Sequence, residues 1–154
     1  MKTIAKNIAY LLARADDVFS PRTAHAHCDI PCGVYEPDSM TWAAETVYKM
    51  AEKLLALQPP KEGDMKGRLE FVNTAARMVE IKEKFAHKCK EEILILWTDY
   101  FKPEHLDRFP ELHEKVWKAT KQCSTVKRGV SLEEAAKLKE MVAEIAEVFR
   151  KSKQ

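Results

Sequence analysis

The sequence predicts an all-α chain folded as an antiparallel four-helix bundle, preceded by an irregular N-terminal hook. Three observations carry this reading. Apolar residues recur at steps of three and four along four long segments, proline and glycine fall between those segments, and no alternating pattern supports a sheet. The first stripe runs through Met40, Ala43, Val47, Met50, Leu54 and Leu57, and Pro59-Pro60 ends its helix. Gly63 and Gly67 mark the next connection. A long second stripe follows through Phe71, Ala75, Met78, Ile81, Phe85, Cys89, Ile93, Leu96 and Tyr100, stopped by Pro103. Pro110 suits the first turn of a third helix carrying Leu112, Val116, Ala119, Cys123 and Val126. After Gly129, Ser131 and Glu134 have the spacing of a capping box, and Ala135, Leu138, Val142, Ile145 and Phe149 form the fourth stripe.

A chain of 154 residues is most simply one folded domain with a real core. Its 26 basic and 24 acidic residues are mixed along the whole length, without a basic run or basic-aromatic interleaving, which argues against nucleic acid as a partner. No stretch is apolar enough to span a membrane. The N-terminus imitates an export signal, with Lys2 near its start and Ala24-His25-Ala26 resembling a cleavage site. Its apolar stretch "IAYLLA" is short, however, and Arg14, Asp16 and Asp17 follow at once, so we read residues 1 to about 22 as a leader and expect the protein in the cytoplasm.

Aromatics at helical spacing, Trp42, Tyr48 and Trp117, read as core or interface residues. His87, His105 and His113 show no regular ligand spacing and read as surface side chains. Cys89 and Cys123 stand alone on apolar stripes and read as small buried hydrophobes. The segment "TAHAHCDIPCGVYEPD" resists such accounts. It gathers His27, Cys28 and Cys32 where Pro31 and Gly33 disfavour a helix. By spacing alone, Cys-x-x-x-Cys fits half a zinc site, a labile disulfide or chance.

The string "HCDIPCGVY", His27 to Tyr35, closely resembles the nickel-binding hook of nickel-containing superoxide dismutases; "WTDYFKP" from Trp97 and "FPELH" from Phe109 resemble the same family. The resemblance spans most of the chain from His27 to the fourth helix. It implies that residues 1–26 are a propeptide removed by a maturation protease, leaving 27–154 as the enzyme. While Ala26 is attached, the nitrogen of His27 is an amide and a poor donor; once freed, it is an amine with an ordinary pKa of about 8. The resemblance then implies one nickel ion per subunit, held by the His27 amine, the Cys28 amide nitrogen and thiolate, and the Cys32 thiolate. A planar set of two nitrogens and two sulfurs suits nickel(II), where zinc prefers a tetrahedron. The His27 imidazole serves as axial ligand in the oxidised state.

By the same resemblance the substrate is superoxide, disproportionated to oxygen and hydrogen peroxide by nickel(II)/nickel(III) cycling, in a homohexamer of four-helix bundles. Pro31 follows a cis peptide bond that folds the hook, Asp29 helps fix its backbone, Tyr35 and Tyr100 order water and restrict access, and Lys102 supplies local positive charge. Each of the last four has a plainer alternative: Asp29 as a turn residue, the tyrosines as core, Lys102 as a helix C-terminal cation. A non-catalytic nickel or zinc carrier, or a dithiol pair of Cys28 and Cys32, are the competing functions. The sequence also departs from the family. A glutamate and an arginine that brace the leading imidazole in familiar members align with Ala43 and Phe85 here.

Overall fold

The computed structural model describes residues 34–154. The expectations for His27, Cys28, Asp29, Pro31, Cys32 and the propeptide boundary lie outside the described residues.

Among the described residues there are five α-helices, α1 Asp38–Ala56, α2 Met65–Ile95, α3 Pro103–Arg108, α4 Leu112–Arg128 and α5 Leu132–Ser152, and no strand. α2 runs on into a π-helical turn, Leu96–Tyr100. The four long helices form a closed ring, α1 packing on α2 and α5, and α4 packing on α2 and α5. Pairs of contacts fix the antiparallel sense. Asp38 meets Arg150 and Glu45 meets Lys139 across α1 and α5, and Lys115 meets Glu144 and Gln122 meets Glu134 across α4 and α5, so the numbering falls along α5 as it rises along each partner. Met40, Ala43 and Val47 of α1, Ala86, Cys89 and Ile93 of α2, Leu112, Val116, Ala119 and Cys123 of α4, and Leu138, Val142, Ile145 and Phe149 of α5 fill the core. Apart from Ala86, these belong to the stripes read from the period, while Met50, Leu54 and Leu57 at the far end of the first stripe are only half-buried and Ala44, Ala51 and Ala86 are buried beside the stripes; alanine at several core positions lets the helix axes approach closely.

Helix length explains where the second stripe fails to bury. α2 has 31 residues and α4 has 17, a difference of roughly 20 Å at about 1.5 Å per residue. The C-terminal end of α4 meets α2 at Lys82, because Lys82 Nζ donates to the carbonyls of Val126 and Lys127 at 2.5 and 3.0 Å. The turns of α2 before Lys82 therefore lie beyond the end of α4, and Phe71, Ala75 and Met78 are only half-buried while Ile81 is exposed. Lys82 itself is 2 % exposed. Burial pushes its ammonium below the ordinary lysine value.

Asp64 caps α2 by accepting from the Gly67 amide, and Gly63, at φ 85°, occupies the left-handed region that glycine reaches without strain. At α5, Ser131 accepts from the Glu134 amide as expected, but the reciprocal arm of the capping box is replaced: the Glu134 carboxylate accepts from Gln122 Nε2 of α4 at 2.6 Å. Pro103 does end the second helix, and it also opens the short α3, which the stripes do not reveal. α4 begins at Leu112, so Pro110 precedes it. Cys89 and Cys123 are fully buried, as expected of small hydrophobes. Cys89 Sγ donates to the Met40 carbonyl at 3.6 Å, and the neighbouring Cys123 thiol together with burial pushes the Cys89 thiol far up. Trp42 and Trp117 are not core; both are exposed, whereas Tyr48 packs against the core's edge.

Candidate active site

One end of the bundle gathers the start of α1, the π-helical turn, α3 and the last turn of α5. Tyr35 enters this end two residues before Pro37, with its side chain only 4 % exposed. The chain is tied down here by Lys153, whose Nζ donates to the Tyr35 carbonyl at 3.1 Å and pairs with Glu36 at 2.9 Å. Lys153 also lies 4.5 Å over the Phe149 ring.

Tyr100 is the centre of this end. The π-helical turn ends at it, after which Phe101 becomes extended. Its ring meets Tyr35 at 5.7 Å, Phe149 at 4.6 Å and Phe101 at 5.1 Å, and His105 stacks on it at 5.5 Å with the planes 11° apart. The hydroxyl of Tyr100 lies 2.7 Å from Ser152 Oγ. Ser152 donates its one hydroxyl proton to the Phe149 carbonyl at 2.7 Å, so in this pair Tyr100 is the donor. The Tyr100 oxygen keeps its lone pairs for any further partner.

Lys102 immediately precedes α3 and is exposed. Both of its backbone polar groups are held by His105: the Lys102 amide donates to His105 Nδ1 at 2.9 Å, and the His105 amide donates to the Lys102 carbonyl at 2.9 Å. His105 is half-buried, which corrects its reading as a surface side chain. His87 and His113 are exposed as expected, the first beside Glu91 and the second edge-on to Trp97.

Of the residues expected at the site, Tyr35 and Tyr100 are brought together, and Lys102 lies two residues beyond Tyr100 at the same end. Ser152, Lys153 and His105 are additions that the sequence reading missed. Ser152 was accessible in principle, since it continues the Ile145, Phe149 stripe by a step of three. Ala43 is buried and Phe85 packs against the core, so the described residues hold no charged pair at those two positions. Among the described residues no three His, Cys, Asp or Glu side chains converge to hold a metal.

The fold and this end define an all-α antiparallel bundle whose N-terminal segment arrives at an aromatic cluster flanked by lysines. Comparison with known proteins narrows the class. The pattern of the nickel-containing superoxide dismutase family matches residues 22–153, and the chain belongs to that family. It is 34 % identical to the superoxide dismutase [Ni] of Streptomyces coelicolor over 137 residues, 88 % of this chain and 95 % of that protein. The superoxide dismutase [Ni] of Streptomyces seoulensis matches to the same extent. A native nickel superoxide dismutase structure superposes with a TM-score of 0.68 at 33 % identity, over 82 % of this chain and 98 % of that one. A structure with nickel ligation corresponding to the oxidised state gives 0.69 at 35 % identity over the same shares.

Proposed function

We propose that this protein is a superoxide dismutase whose nickel is held by the His27 amine, the Cys28 amide nitrogen and thiolate, and the Cys32 thiolate, after removal of residues 1–26. Family membership carries the activity and the nickel. The donor set fits the metal, because two anionic sulfurs and an amidate stabilise a higher oxidation state that water ligands do not. Bound nickel supplies a one-electron couple, and the net reaction joins two superoxide anions and two protons into oxygen and hydrogen peroxide.

The single observation that ties this reading to the bundle is the anchoring of Tyr35 by Lys153. Cys32 is three residues from Tyr35, a tether of at most about 11 Å when fully extended. The aromatic cluster of Tyr35 and Tyr100 is thus within reach of the metal ligands whatever path the chain takes. Tyr100, its proton committed to Ser152, accepts rather than donates toward the site and so orders a water or a protonated intermediate. Tyr35 narrows the approach to small species. Lys102 favours an anionic substrate, whereas the charge of Lys153 is compensated by Glu36. Asp29 steadies the hook backbone.

Maturation by a protease, residence in the cytoplasm and assembly as a homohexamer complete the proposal. Exposed Trp42 and Trp117, at 72 % and 55 %, offer apolar surface for subunit contacts. No helix among the described residues is long and apolar enough to cross a membrane. A metal carrier or a Cys28–Cys32 dithiol protein would not need catalysis by the loaded site. Cys28→Ser and Cys32→Ser, each in the chain beginning at His27, should abolish dismutation and nickel retention while the far-ultraviolet circular dichroism stays helical. Full dismutation in either variant contradicts the ligand assignment.

A further inference from the structure

We infer that His105 is a positioning residue that fixes both Tyr100 and Lys102 for the dismutase reaction, an inference that rests on the reading above. The observation is that one side chain serves two neighbours in different ways. Its Nδ1 accepts the Lys102 amide at 2.9 Å, while its ring lies flat on Tyr100 at 5.5 Å and edge-on to Phe101 at 5.7 Å. The first contact, with the return bond from the His105 amide to the Lys102 carbonyl, closes a ring around Lys102 and sets the direction in which its side chain leaves the bundle. The second contact fills one side of Tyr100, while Phe149 and Ser152 occupy others. Rotation of the phenol is blocked on both sides, and its hydroxyl stays on Ser152.

The residue type is informative. His105 is the third residue of α3, where glutamate or glutamine ordinarily reaches back to the amide that precedes the helix. A glutamate would supply that acceptor, but it would set a negative charge beside the approach of an anion and could not stack on a ring. A phenylalanine would stack but leave the Lys102 amide without its acceptor. Imidazole with its proton on Nε2 does both and adds no negative charge. Neither His87 nor His113 is placed to do this, since each lies on the surface of a long helix.

The test separates the two contacts. His105→Gln keeps an acceptor and loses the ring; His105→Phe keeps the ring and loses the acceptor; His105→Ala loses both. Each is made in the mature, nickel-loaded chain, and three quantities are read: nickel content, the dismutation rate constant across ionic strength, and exchange of the Lys102 amide. With nickel content unchanged, His105→Ala should be slower by about tenfold, the lower end of the range for disturbed supporting groups around a metal. His105→Phe should lose protection of the Lys102 amide and part of the salt dependence that marks steering by a lysine, yet keep its rate at high salt. His105→Gln should keep the protection and the salt slope and be slower at every ionic strength. Wild-type rate, salt slope and amide protection in all three overturn the inference. Lost Lys102 protection with wild-type rate and salt slope also overturns it, since the contact then does not act on the reaction, whereas a nickel-loaded wild-type chain without dismutase activity overturns the underlying reading instead.

Discussion

Replacing Lys82 with methionine tests how this bundle tolerates a cation in its interior. Methionine keeps most of the aliphatic stem and removes the ammonium that donates to Val126 and Lys127 at the end of α4. A hydrogen bond from a charged group contributes about 1.5–3 kcal/mol, and a cation at a helix C-terminus adds about 0.3–1 kcal/mol. Against these stands the desolvation of an ammonium whose residue is 2 % exposed. Lys82→Met relieves that penalty but leaves the Val126 and Lys127 carbonyls without their donor, at about 1–3 kcal/mol for each buried group left unsatisfied, so the expected net loss is about 2 kcal/mol, or a fall of roughly 4–8 °C in melting temperature at 2–4 °C per kcal/mol. Lys82→Ala also deletes about three buried methylenes and should lose about 2 kcal/mol more. Urea and thermal denaturation followed by circular dichroism give both values. Because burial lowers the folded-state pKa of Lys82, the unfolded chain binds more protons in the window just below the ordinary lysine value of about 10.4, and wild-type stability rises with pH there. Lys82→Met should lack that rise. If Lys82→Met is as stable as wild type at neutral pH, the ammonium's desolvation cancels its two bonds and the capping account fails.

Ser152→Ala should leave the fold intact and free the Tyr100 hydroxyl proton, changing the pH profile of dismutation, whereas Ser152→Thr should restore it; identical profiles in all three proteins would show that this bond does not act on the reaction. At Ala43 and Phe85, where the resemblance leads one to expect a charged pair, Ala43→Glu alone buries an unpartnered charge and should destabilise by about 3–5 kcal/mol, with Phe85→Arg recovering much of it in the double variant. Electron paramagnetic resonance of resting nickel(III) then compares that double variant with wild type. A larger nickel(III) fraction is expected if the introduced pair braces the His27 imidazole, and an unchanged fraction with a correctly formed pair would contradict that.

The four long helices were legible because each has a stripe long enough for the 3.6-residue period to emerge. α3 has six residues and no buried one, so no period exists to read, although Pro103 at its start was visible. The half-exposure of Phe71 and Met78 was not legible either, since it depends on where α4 ends. Lys82 illustrates the same limit: a charge among apolar neighbours reads as a surface residue until the carbonyls of another helix are found opposite it. Tyr35 and Tyr100 entered the site through a family resemblance, and their meeting in the structure is a tertiary fact. His105 and Ser152 were missed because their partners are backbone and ring atoms whose positions the sequence does not display.

The central claim is that nickel is bound by an amine that exists only after cleavage before His27. The measurement that tests it most directly is the intact mass of the active protein purified from its own cells. The account predicts a chain beginning at His27 with one nickel per subunit. An active form that retains Ala26 would contradict it, since the His27 nitrogen would then be an amide, its lone pair delocalised into the Ala26 carbonyl, and no amine ligand would exist.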